Sequence, residues 1–88
     1  MIDENIKNII IKYSKKYGVS KVIIFGSSIE NDDANDIDIA VSGIDPLLFF
    51  KFYGELIREL PKAVDLVDLS DNSMFNDIIE ETGIVIYG

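Results

Sequence analysis

The sequence contains no cysteine and no histidine among its 88 residues. Their absence excludes disulfides, thiol nucleophiles, thiolate zinc sites, imidazole bases and Ser-His-Asp triads. Acid–base or metal chemistry must then fall to carboxylates. Carboxylate and water oxygens favour hard ions such as Mg²⁺ or Mn²⁺. Basic residues are scarce too: 8 Lys and Arg stand against 16 Asp and Glu, for a formal net charge of -8. Binding to a nucleic-acid backbone needs clustered cations, so no direct nucleic-acid binding is expected. Lys7, Lys12, Lys15 and Lys16 read as the solvated face of one helix. No apolar run approaches the length of a membrane span, and the acidic, polar start is unlike a secretory signal. The expectation is a cytoplasmic protein without membrane attachment, folded as a single domain over 1–88.

What is present is a run of well-marked elements. Ile2, Ile6, Ile9, Ile10, Tyr13 and Tyr17 recur at helical spacing, with Asp3 placed to cap the start and Gly18 to end the helix. "KVIIF" (21–25) reads as a buried strand closed by Gly26. A polar loop follows, with room for one helical turn after Ser27. In "DIDIAV" (36–41), Ile37, Ile39 and Val41 point one way, and Asp36, Asp38 and Ala40 point to an open face. The only two prolines mark helix limits: Asp45-Pro46 starts a helix that runs to about Glu59, and Pro61 stops it. "AVDLVDL" (63–69) is a third strand. Ser70 or Asp71 then caps a helix through Thr82, with Phe75, Ile78, Ile79 and Thr82 on one face. Gly83 ends it, and "IVIY" (84–87) is a last strand. The expected fold is α/β (α+β): a small mixed sheet with helices on one face and carboxylates on the other.

The pair Asp36 and Asp38 calls for a physical reason. Side chains two apart on a strand lie roughly 7 Å apart, and two like charges at that distance repel by about 2 kcal/mol at an effective dielectric near 20. A divalent cation between them reverses the sign. An EF-hand is excluded, because the glycine needed at loop position 6, counted from Asp36, is Val41. Gly26-Ser27 follows a strand directly, where backbone N–H groups and the hydroxyls of Ser27 and Ser28 suit a phosphate. Asp65 is a third carboxylate inside an apolar run. Asp68 lies three residues on, so in a regular strand it faces the other way.

"VIIFGSS…NDIDIAV…AVDLVDL…EETGIVIYG" resembles the minimal nucleotidyltransferases of the DNA polymerase β superfamily, the antitoxin partners of HEPN-domain toxins. The resemblance covers nearly the whole chain. It implies Mg²⁺- or Mn²⁺-dependent transfer of a nucleoside monophosphate, usually AMP from ATP, to an acceptor hydroxyl. By that resemblance Gly26, Ser27 and Ser28 hold the triphosphate, and Asp36, Asp38 and Asp65 are the metal-binding and catalytic carboxylates. Asp65 would complete a metal site and help deprotonate the acceptor. The implied partner is a helical HEPN-type protein, with a homo-oligomer expected when the chain is alone. Two features depart from the family pattern. Eight residues rather than ten separate Gly-Ser from the aspartate pair, and the loop over 28–35 has no Lys or Arg but carries Glu30, Asp32 and Asp33. They keep a second function open, a non-catalytic nucleotidyltransferase fold that neutralises its partner by binding alone. Finally, the helix after Pro46 is apolar around so much of its circumference that an exposed patch is expected, with Leu47, Phe50, Gly54 and Ile57 in one stripe.

Overall fold

A computed structural model describes residues 3–26 and 36–88. Helix α1 (Glu4–Lys16) opens where the Asp3 carboxylate accepts a 2.7 Å hydrogen bond from the Asn5 N–H. This satisfies one of the donors that a helix start leaves without a partner. The helix buries Ile6, Ile10 and Tyr13, as its spacing requires. Buried Ser14 donates its hydroxyl to the Ile10 carbonyl at 2.7 Å, so it carries no unmet polar group into the core.

Strands β1 (Lys21–Phe25) and β2 (Asp36–Ser42) pair antiparallel. Helix α2 (Pro46–Glu59) follows, capped by Asp45, whose carboxylate accepts from the Leu47 N–H at 2.9 Å. It ends where Leu60 turns extended ahead of Pro61. The crossover through α2 lets β3 (Ala63–Asp68) pair parallel with β2, a connection that a tight turn cannot make. Helix α3 (Met74–Thr82) and strand β4 (Ile84–Tyr87) complete the described residues. β4 pairs antiparallel with β1, and the sheet order is β3-β2-β1-β4.

Under α1 and α2 lies the main core. Val22, Ile24, Ile37, Ile39, Val41, Val64 and Leu66 from the sheet meet Ile6, Ile10, Phe52 and Leu56 from the helices. Full burial of side chains such as Phe52 and Leu56 contributes about 1.5–3 kcal/mol each. Polar contacts fix the two helices to each other and to the sheet. The Tyr13 hydroxyl donates to Glu59 at 2.8 Å, Lys16 pairs with Glu55 at 2.9 Å, and the Tyr53 hydroxyl donates to the Val64 carbonyl at 2.8 Å.

The placement expected for the helices holds for α1 and α2. α3 crosses the opposite face, where Ile79 packs on Ile23 and Ala40. The reason is local: Ile23 and Ala40 leave an apolar half-face that must be covered. Ala40, expected on the open face, is therefore buried. The cap of α3 is Ser73, not Ser70 or Asp71. Its hydroxyl accepts from the Asn76 N–H at 3.1 Å, and the Asn76 amide donates to the Asp71 carbonyl at 2.7 Å. Residues 70–73 are spent on a turn rather than on helix. Among the described residues, no helix is long and apolar enough to cross a membrane.

Candidate active site

Strand alternation puts Asp36 and Asp38 on the face that α3 half covers. The register of the parallel pair then places Asp65 directly opposite Asp38, and Asp36 opposite Ala63. On the other flank of β2, Phe25 is the partner of Asp38. Thus Asp38 sits in the second strand from one edge with Asp65 on one side and the end of β1 on the other. The carboxylates of Asp36, Asp38 and Asp65 share one face because residues opposite each other in a sheet point the same way.

Gly26 ends β1 with a φ of +68°, in the left-handed region. A Cβ there would lie 2.5 Å from Oδ2 of Asp38. The Asp38 carboxylate therefore lies against the glycine backbone, in space that any side chain would fill. The Gly-Ser pattern points to a phosphate-holding role for Gly26 and is silent on this packing role. The spacing contains no signal for it, since it depends on the strand register.

The charged state of Asp38 is disfavoured. Burial pushes its carboxyl above the ordinary aspartate value, and the nearby charges of Asp65 and then Asp36 push it further the same way. A hard divalent cation would relieve each of these costs, and an all-oxygen donor set suits it. Among the described residues, no three carboxylates are drawn close enough to hold an ion by themselves.

Asp68 is employed elsewhere. Its carboxylate accepts from the Ser70 N–H at 2.9 Å, and its carbonyl accepts from the Asn76 amide at 3.3 Å, so it shapes the turn into α3. Ser27 and Ser28, and the acidic loop residues Glu30, Asp32 and Asp33, lie outside the described residues. One contact of Phe25, the cross-strand partner of Asp38, was missed from sequence. Phe75 of α3 meets Phe25 edge-on with ring centroids 6.0 Å apart. The helical spacing of Phe75 was legible, but the face that α3 covers was not.

A glycine-ended strand leading into a carboxylate pair, with a third carboxylate across a parallel strand, defines the nucleotidyltransferase class of fold. Residues 4–88 match the family described as polymerase beta, nucleotidyltransferase, and the chain belongs to that family. Solved structures agree. The MntA-HepT toxin–antitoxin structure is 27% identical, with a TM-score of 0.74 over 98% of this chain and 73% of that one. A toxin–antitoxin structure with AMP-PNP is 28% identical, with a TM-score of 0.73 over 93% and 73% of the two chains. The tri-AMPylated Shewanella oneidensis HEPN toxin in complex with MNT antitoxin is 26% identical, with a TM-score of 0.74 over 97% and 71%. No curated protein matches the chain.

Proposed function

We propose that this chain is a cytoplasmic, single-domain nucleotidyltransferase that transfers AMP from ATP to a hydroxyl on a helical HEPN-type partner, which the transfer silences. The observation that carries this reading is the Asp38–Asp65 register, with the Asp38 carboxylate against Gly26. It brings Gly26, at the end of β1, and the carboxylates of β2 and β3 together. The AMP-PNP complex and the AMPylated toxin among the structural neighbours support both the donor and the acceptor.

The roles are carried over from the family's pattern onto the matching residues. The backbone N–H groups after Gly26, with the hydroxyls of Ser27 and Ser28, hold the triphosphate. Asp36, Asp38 and Asp65 would hold Mg²⁺ or Mn²⁺, which supplies charge neutralisation on the attacking and leaving oxygens. Asp65 takes the proton from the acceptor hydroxyl. The acceptor oxygen bonds to the α-phosphorus, the bond from that phosphorus to the bridging oxygen breaks, and pyrophosphate leaves with the electron pair. No imidazole is needed, which fits a chain without histidine.

The test is intact-mass measurement of the purified partner after incubation with this chain, Mg²⁺ and ATP. The expected result is a gain of one or more AMP units, lost in Asp65→Asn and kept in Asp68→Asn. Loss in Asp68→Asn with retention in Asp65→Asn would move the third carboxylate to Asp68. A stable complex with no mass gain from any nucleotide would favour neutralisation by binding alone, the reading that the loop without Lys or Arg over 28–35 supports.

A further inference from the structure

The outer surface of α2 is not used by the transfer chemistry. Leu47, Phe50 and Ile57 are 86%, 78% and 56% exposed. With Gly54 they stand at intervals of three, four and three residues, the a/d spacing at which one helix seats another. Gly54 has no internal reason to be glycine. It is not among the glycines with positive φ, and a Cβ on it would meet nothing within 4 Å. Glycine inside a helix is less favourable than alanine, and what it offers at an exposed seam is room for another backbone to approach. Beside it, Phe50 carries an exposed ring that leans on its neighbour. Its ring meets Phe49 edge-on at 5.2 Å, Phe49 meets Tyr53 at 6.3 Å, and Tyr53 is tied to the Val64 carbonyl. An exposed aromatic next to a gap is the form of an interface anchor.

Charge distinguishes the occupant. Lys51 and Arg58 are exposed along one border of the stripe, in a chain of net charge -8. Two copies packed antiparallel would set these cations against their own counterparts. A helix bordered by Asp or Glu would be attracted to them. We propose that the stripe Leu47–Phe50–Gly54–Ile57 seats an amphipathic helix of the partner protein, with acidic residues meeting Lys51 and Arg58. α2 packs on the face of the sheet opposite Asp38. The stripe therefore holds the partner without contributing to the reaction centre. The inference rests on the reading above for the owner of the helix, and not on the transfer step.

The experiment pairs the full chain with its HEPN-type partner and measures the dissociation constant by calorimetry. Mg²⁺·ATP binding to the isolated chain and its thermal melt are measured in parallel. Phe50→Asp and Gly54→Leu should each weaken the complex by about thirtyfold or more, with nucleotide binding and fold unchanged. Lys51→Glu with Arg58→Glu should weaken it more at low salt than at high salt. Unchanged affinity in Phe50→Asp and Gly54→Leu overturns the docking proposal while leaving the transfer reading standing. A tight wild-type complex that never transfers AMP overturns the transfer reading and leaves the docking intact. A wild-type chain that sediments alone as a dimer, dissolved by Phe50→Asp, assigns the stripe to a second copy and overturns the partner helix.

Discussion

The two faces of this sheet are written in the same strands and obey different rules. On one face Ile37, Ile39 and Val41 alternate into a core sealed by α1 and α2. On the other, Asp36 and Asp38 occupy the intervening positions, and α3 covers only the part around Ile23 and Ala40. The first face holds the fold together. The second holds Asp38 partly buried beside Asp65 and Asp36, so that burial first and those two charges after it raise its pKa. Alternation with a period of two lets a strand do both at once. A surface that stores repulsion is one that an outside cation can stabilise.

The sealed face is the more vulnerable of the two. Phe52 is fully buried between α1 and the sheet, with Tyr17 edge-on at 5.8 Å. Phe52→Ala should destabilise the fold by about 3–5 kcal/mol, and urea unfolding followed by circular dichroism measures it. A loss under about 1 kcal/mol would show that α2 is not held by its inner face.

Gly26→Ala tests the seam between the faces. The left-handed conformation alone costs a residue with a side chain roughly 1–2 kcal/mol, and the new methyl must displace the Asp38 carboxylate. Stability should fall by about that amount, while AMP transfer falls to background because Asp38 is moved. Retained transfer would show that the carboxylate need not lie against the glycine.

Asp38→Asn should have the smallest effect on stability and the opposite sign. A carboxyl whose folded pKa is raised contributes stability below its unfolded value, and that contribution is lost as pH rises through the folded value. The variant should therefore equal wild type below about pH 4 and exceed it near pH 7 by about 1 kcal/mol or less. It should also lose the rise in melting temperature that Mg²⁺ gives to wild type. The same Mg²⁺ shift in both proteins would place the cation elsewhere.

Much of this was legible because the signals are local. The caps at Asp3 and Asp45, the stop before Pro61 and the strand alternation of 36–41 follow from backbone chemistry over a few residues. The exposed stripe of α2 was legible from helical periodicity, because only one side of a helix can face a single sheet. That Asp65 and Asp68 face opposite ways was likewise legible, as parity on one strand.

Tertiary structure decided what depends on contacts distant in sequence. The pairing of Asp38 with Asp65 needs the parallel register of β2 and β3, which α2 sets across the intervening chain. The closeness of Gly26 to Asp38 needs the antiparallel register of β1 and β2. The covering of Ala40 by Ile79 needs α3 to choose the second face, and the amphipathic pattern of α3 fits either side equally well. Sequence by itself determined which residues alternate, where most helices start and stop, and that cysteine and histidine chemistry is excluded. Which carboxylates meet was left to the sheet, because register is a property of two strands and no single strand encodes it.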